Sequence, residues 1–169
     1  ALLARVNELS AKGGNAIILD SKTGEVLSIA SVQRGDDGVA AITSGNLAAV
    51  EAYEPGSVAK VFSVAATIDS GAATPERVYE VAGTHTFDKD TKFEYTIQDA
   101  FPHDLEPMTL RSILVRSSNI GTMMAASELG SPKLHDYLSS FGFGKLSEPE
   151  FPGESAGILK APQDWKGSQ

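Results

Sequence analysis

The sequence predicts an α+β fold. Two observations carry this: a pair of apolar strands near the N-terminus, and amphipathic helical runs spread over the remainder. Ala16-Ile17-Ile18-Leu19-Asp20 and Glu25-Val26-Leu27-Ser28-Ile29-Ala30 read as two strands joined by the turn-forming residues Ser21-Lys22-Thr23-Gly24, a hairpin entering a sheet. Helically spaced apolar residues occupy Val61 to Ile68 and recur after Thr109.

Length and composition bound the function. A chain of 169 residues holds one domain with a proper core and is short for two, so residues 1–169 are expected to form a single domain. A hydrophobic content of 41% with 21% charged residues belongs to a soluble globular protein. The net charge of -8 leaves no basic patch to hold a phosphate backbone, which argues against nucleic acid as a partner. With no cysteine and with His85, His103 and His135 far apart, neither a metal site nor another cofactor is expected. No run approaches the roughly 18 apolar residues of a membrane span, and the N-terminus lacks a signal-peptide pattern. The chain is therefore expected to be mature or trimmed.

Taken in order, Leu2, Leu3, Val6 and Leu9 have helical spacing that stops at Gly13-Gly14. The hairpin follows, then an exposed loop from Arg34 to Gly38, and Ala40 to Val50 leads toward Ser57. The helix that Ser57 begins ends near Ser70-Gly71. Residues 72–107 look irregular, with short strands at Val78 to Val81 and Thr84 to Phe87 and a solvated charged loop at 88–92. Thr109 has the place of an N-cap for a helix through Leu110, Ile113 and Leu114. Helix resumes from Ile120 to Leu129, Gly130 stops it, and Ser131-Pro132 opens another that ends near Phe141-Gly142. Residues 148–169 read as loop or short extended pieces.

The chemistry centres on Tyr53-Glu54-Pro55-Gly56-Ser57-Val58-Ala59-Lys60-Val61-Phe62. Pro55 and Gly56 make a turn, and Ser57 and Lys60, three residues apart at a helix start, share a face within hydrogen-bonding reach. A serine hydroxyl reacts once a neighbouring base takes its proton, and a lysine can serve when desolvation lowers its pKa. Val61, Phe62, Val64 and Ala65 are the expected apolar surrounding. An SxxK pair also arises by chance about once in such a chain, and a serine at a helix start is commonly a cap. A second polar cluster, Ser117-Ser118-Asn119 after Arg116, breaks two helical runs, where side chains can be aimed into a cleft or can simply cap a helix–helix turn.

The two clusters together resemble the motifs of the penicillin-binding proteins, specifically the transpeptidase domain of the class B enzymes: SxxK as Ser57-Val58-Ala59-Lys60 within YEPGSVAKVF, and SxN as Ser117-Ser118-Asn119 within RSSNIGT, 60 residues apart. NAIILDSKTGEVLSIAS looks like the strand pair that begins that domain, and FPGESAGIL like a segment beyond its second motif. The resemblance runs from about Gly14 to the end. It implies the penicillin-binding protein and serine β-lactamase-like α+β fold, with helices packed on an antiparallel sheet.

The third family motif, KTG, is spelled by Lys22-Thr23-Gly24, but in a hairpin turn ahead of the serine, and no KTG follows Asn119. The resemblance therefore implies the N-terminal portion of the domain, without the KTG strand, other strands of the sheet and one oxyanion donor, and a fragment that by itself is expected to be inactive or impaired. An open hairpin of this kind is expected to pair with a second copy of the chain or with the C-terminal half.

By resemblance Ser57 is the nucleophile, Lys60 its base, Ser117 the residue that passes a proton to the leaving amine, and Asn119 a ligand of the substrate amide that helps to position Lys60. The implied partners are peptidoglycan stem peptides and β-lactam antibiotics, and the implied location is the outer face of the bacterial cytoplasmic membrane, with an anchor outside this chain. A non-catalytic β-lactam sensor or scaffold would use the same site without turnover. A class A β-lactamase is disfavoured by Ser118 where that family usually has aspartate. Two accidental motifs in a small α+β domain are a further alternative.

Overall fold

The expected hairpin forms and extends beyond its apolar centre. In the computed structural model, which describes residues 1–87, 89–92, 94–147 and 151–165, strand β1 covers Gly13–Leu19 and β2 covers Val26–Arg34. They pair antiparallel with Ala16 opposite Ala30 and Ile17 opposite Ile29. The turn is closed by the Asp20 carboxylate, which accepts hydrogen bonds from the backbone N–H of Lys22 at 2.8 Å and of Thr23 at 2.9 Å. Lys22-Thr23-Gly24 is thus a turn, with Gly24 at φ 76° in the left-handed region that favours glycine. A third strand, β3 (Ala40–Ile42), which the weak periodicity of residues 31–52 does not reveal, adds to the far side of β2.

Contacts divide the chain into two units, Ala1–Tyr53 with Leu146–Gly157, and Glu54–Lys145 with Ile158–Gln169. In the first, helix α1 (Leu2–Glu8) packs on the three-stranded sheet through a small core of Val6, Val32 and Ala40, and a short helix α2 (Leu47–Val50) follows β3. Arg34 ties the edge of this core together, its guanidinium donating to the carbonyls of Ala11 at 2.9 Å and Gly38 at 2.6 Å. The distal end of the hairpin is different. Ile17 and Ile18 are 51% and 58% exposed, and because neighbouring residues of a strand point to opposite faces, both faces there carry apolar side chains in solvent.

The second unit holds most of the helix. A 3-10 turn (Gly56–Val58) leads into α3 (Ala59–Asp69); α4 (Leu110–Arg116), α5 (Asn119–Leu129) and α6 (Ser131–Ser140) follow two strand pairs. Ser57 therefore lies in the 3-10 turn, and the α-helix starts two residues later than the sequence suggests. Residues 72–107 are more ordered than their composition implies: β4 (Val78–Val81) pairs with β7 (Glu106–Thr109), and β5 (Thr84–Phe87) with β6 (Tyr95–Gln98). The strands β6 and β7 escape detection because each is four residues long and takes its hydrogen bonds from a partner elsewhere in the chain. Asp88 of the expected charged loop, and residues 148–150 and 166–169 of the expected terminal segment, lie outside the described residues. Among the described residues no helix is long and apolar enough to cross a membrane.

The core of this unit is built from Val64, Tyr79, Val81, Met108, Leu110, Ile113, Ile120 and Ala125. Strand β4 alternates as period two requires, Tyr79 and Val81 inward and Val78 and Glu80 outward. Gly121, Ala125 and Leu129 recur every four residues on the buried face of α5. A Cβ at Gly121 would lie 2.6 Å from Ile113 Cγ1, 2.8 Å from Cδ1 and 3.0 Å from Cγ2, so the glycine is what lets α5 approach α4. Gly121→Ala should gain about 1 kcal/mol of helix propensity and lose about 1–3 kcal/mol to overpacking against a stiff β-branched side chain. The expected result is a lower midpoint in urea unfolding; an unchanged or higher midpoint would show that Ile113 can move aside.

Candidate active site

Both polar clusters of the sequence belong to the second unit. Pro55 and Gly56, with Gly56 at φ 58°, turn the chain into the 3-10 segment that carries Ser57, and among the described residues no side chain caps that turn or α3. Ser57 is thus not a helix cap. It is exposed, and among the described residues no hydrogen bond joins it to Lys60. Lys60 instead crosses to the second cluster. Its Nζ donates to the backbone carbonyl of Ser117 at 2.5 Å and to the Ser117 hydroxyl at 3.1 Å. The apolar neighbours expected around Lys60 are only partly there: Val64 is in the core, while Val61 is 54% exposed and Phe62 packs edge-on against Phe141 and Phe143. Burial still pushes the lysine below its ordinary value, and the negative charge of Asp99 partly restores it.

The second cluster is a helix break made of two back-to-back caps. Thr109 caps the start of α4, its hydroxyl oxygen accepting from the Ser112 N–H at 3.1 Å, as its sequence position predicts. At the other end Ser117 is the C-cap, in the left-handed region at φ 56° and ψ 40°, an uncommon conformation for a residue with a Cβ. Ser118 then opens α5, its hydroxyl oxygen accepting from the Gly121 N–H at 2.8 Å. The left-handed turn is what presents the Ser117 carbonyl and hydroxyl together to Lys60. The cluster thus caps the helix–helix turn, one of its two readings at the level of sequence.

A residue that the sequence does not single out holds this break. Asp99, on the segment after β6, accepts hydrogen bonds from the N–H of Asn119 at 2.6 Å and of Ile120 at 3.0 Å, a carboxylate set on the first turn of α5, where its charge suits the helix dipole. Its side chain is only 6% exposed. Burial raises the Asp99 pKa, but hydrogen bonds from Ser118, Ile120, His103 and Asn119 outweigh it and hold the carboxyl below its ordinary value. No local pattern marks Asp99, because the helix-start N–H groups it holds lie about 20 residues away in the chain.

Asn119 directs its side-chain amide to the Gln98 carbonyl at 2.6 Å. Lys60, Gln98, Asn119, Met123 and Trp165 line a cavity of about 750 Å³; Ser57 and Ser117 are not among the lining residues. The structure thus brings Lys60, Ser117 and Asn119 to one place, while among the described residues the Ser57 hydroxyl has no hydrogen-bond partner. Among the described residues no cluster of three or more histidine, cysteine or carboxylate side chains could hold a metal.

The family model of the penicillin binding protein transpeptidase domain matches residues 14–169. The chain belongs to that family. It is 34% identical over 163 residues to the penicillin-binding protein PbpB of Mycolicibacterium smegmatis, covering 94% of this chain and 24% of the relative. To the Neisseria flavescens protein named Probable peptidoglycan D,D-transpeptidase PenA it is 30% identical over 165 residues, covering 92% of this chain and 38% of that protein. The crystal structure of penicillin binding protein 3 from Mycobacterium tuberculosis superposes with a TM-score of 0.84 at 32% identity, over 99% of this chain and 37% of the other. The transpeptidase-domain chain thus spans about a quarter to two fifths of the relatives it matches. The α+β class and the family resemblance drawn from the two motifs are borne out.

Two stability effects follow for this transpeptidase domain. Ser118 is 2% exposed, and Ser118→Ala removes both a helix cap and a partner of Asp99. The expected loss is about 1–2 kcal/mol in urea unfolding. Because the Asp99 pKa is depressed on folding, its contribution is present above the ordinary value of 3.8 and fades as pH falls through the lower folded value. Asp99→Asn should therefore lower stability at pH 7 and reduce the difference between pH 7 and pH 3; an acid sensitivity unchanged by the substitution would contradict this.

Proposed function

We propose that the chain supplies the nucleophile and proton-transfer residues of a peptidoglycan D,D-transpeptidase that works through a serine acyl-enzyme and is acylated by penicillin at the same serine. The observation that carries this reading is the double hydrogen bond from Lys60 to Ser117 in a partly buried setting. A neutral lysine amine has two N–H bonds and one lone pair. With the two N–H bonds directed at the Ser117 carbonyl and hydroxyl, the lone pair is left to accept a proton. Ser57, an exposed hydroxyl one helical turn before Lys60, is its intended source.

In this mechanism the Ser57 Oγ attacks the carbonyl carbon between the two terminal D-alanines of a stem peptide, and its proton goes to Lys60. The carbonyl oxygen gains the charge. The Ser57 backbone N–H, in the first turn of a helical run where such groups have no intrahelical partner, is a donor for it. The C–N bond then breaks, Ser117 relays a proton from Lys60 to the departing D-alanine amine, and the acyl group stays on Ser57 as an ester. An amine of a neighbouring stem peptide displaces the serine and completes the cross-link. Asn119, beside Lys60 at the cavity, holds the substrate amide.

The relatives support the substrate class through their names, and the Mycobacterium tuberculosis relative has been crystallised with aztreonam and with ampicillin. Peptidoglycan as substrate sets the place of action on the outer face of the cytoplasmic membrane. The exposed apolar end of the hairpin, with Ile17, Ile18 and Leu27, is the surface on which the remainder of the transpeptidase domain, or a second copy of the chain, would pack.

Intact mass after incubation with benzylpenicillin tests the nucleophile: one covalent adduct is expected, and none in Ser57→Ala. An adduct that persists in the variant would sink the assignment; no adduct in either protein would move the same comparison to the longer transpeptidase chain. The acylation rate should rise with pH as Lys60 loses its proton, with an inflection below the ordinary lysine value of 10.5. Lys60→Arg, which cannot deprotonate, should remove that inflection and slow acylation by about 10²–10⁴-fold.

A further inference from the structure

His103 stands behind the second motif, in a position that mechanism does not use. Its imidazole is 9% exposed and, among the described residues, its three polar neighbours are acceptors. The Asp99 carboxylate lies 3.1 Å from Nε2; at Nδ1 the Asp104 carbonyl is at 2.7 Å and a Glu106 carboxylate oxygen at 3.2 Å. A neutral imidazole carries one N–H and would leave its other nitrogen lone pair against an oxygen lone pair. An imidazolium donates at both ends. The geometry is that of a charged ring clamped between two carboxylates.

We propose that His103 is a positioning residue for the second motif: as an imidazolium it fixes the Asp99 carboxylate on the first turn of α5, and on losing its proton it gives up its charge, weakens its hold on that carboxylate and loosens Ser117 to Asn119. The proposal deepens the transpeptidase reading, because Ser117 and Asn119 matter to chemistry only if that reading holds. The links are continuous. Nε2 of His103 meets one oxygen of Asp99, and the other oxygen accepts from Asn119 and Ile120. The charged groups that face the ring from the packed elements are Asp99 on the β6–β7 segment and Glu106 on β7. Arg116 at the end of α4 binds Glu106 at 2.7 Å, and Lys60 on α3 acts on Asp99 through its charge. Arg116 thus competes for Glu106, which leaves Asp99 as the carboxylate that His103 holds most directly.

The direction of the pH effect follows. The hydrogen bond to Asp99, then that to the Asp104 carbonyl, and the charge of Glu106 raise His103 above its ordinary 6.5, against a smaller opposing effect of burial. A group raised on folding contributes fully below its unfolded value and loses that contribution as pH rises through its folded value. The clamp is therefore closed at mildly acidic pH and opens on the alkaline side.

The test is an NMR titration of the intact chain, following the His103 ring and the backbone amides of Asn119 and Ile120. The expected result is a His103 midpoint above 6.5, with both amides shifting at that same midpoint. His103→Gln, whose amide nitrogen can still donate to Asp99 but does not titrate, should abolish the step in the amides. A His103 midpoint at or below 6.5, or a titration that leaves both amides unmoved, would overturn the proposal. If the variant does not fold, the wild-type titration decides alone. Acylation by benzylpenicillin separates this from the transpeptidase reading: an adduct that persists in Ser57→Ala refutes that reading while the amide titration still judges the clamp. In acylating protein, His103→Gln should lose the corresponding pH step in rate and slow acylation by up to about 100-fold, the scale of a misplacement near 1 Å. A rate profile that keeps the step would count against His103.

Discussion

Much of the second unit depends on one carboxylate, Asp99, set against the start of α5. A helix start has N–H groups without intrahelical partners, and a buried one needs acceptors. Ser118 supplies one from within the turn and Asp99 supplies two from another segment. With those groups satisfied, the chain can leave α4 through a left-handed serine and re-enter helix at once. Without them, Ser117 would have no reason to hold a conformation that most side chains avoid. The backbone geometry that presents Ser117 to Lys60 is therefore maintained by hydrogen bonds outside the Ser57 and Ser117 motifs.

The environment of Lys60 is a balance of two effects. Burial disfavours the ammonium, and the Asp99 charge favours it; burial wins, so the amine is easier to deprotonate than an exposed lysine. Asp99 thus both holds the helix break and limits how far the base is shifted. A neutral residue at that place would leave Lys60 lower still, and a closer carboxylate would hold it charged. That direction is the one the proposed base requires.

The two units have different roles in this arrangement. Lys60, Ser117, Asn119 and Asp99 all come from the helical unit, whose core of Leu110, Ile113, Val81 and Met108 sets the positions of α3, α4 and α5. The hairpin unit has a small core of Val6, Val32 and Ala40, and the far end of its sheet leaves apolar side chains on both faces. That exposed end is the surface proposed above for packing.

The sequence by itself determined the α+β class, the hairpin, the stops of the helices ending at Asp69, Leu129 and Ser140 though not that of α1, which ends at Glu8 ahead of the expected Gly13-Gly14, the Thr109 cap and the two motifs that identify the family. These are local properties: apolar periodicity, turn residues and side chains that bond to backbone a few positions away. It could also set aside Lys22-Thr23-Gly24 as a family motif, because a turn between two strands was legible there. Only the tertiary structure decided what each motif touches. Lys60 bonds to Ser117 across 57 positions of sequence, Asp99 reaches Asn119 across 20, and β7 finds β4 across about 30. Composition and spacing record no such pairings, since a hydrogen bond between distant residues leaves no periodic trace in either segment. For the same reason Asp99 and His103 were invisible among irregular residues, although the geometry of the second motif rests on them.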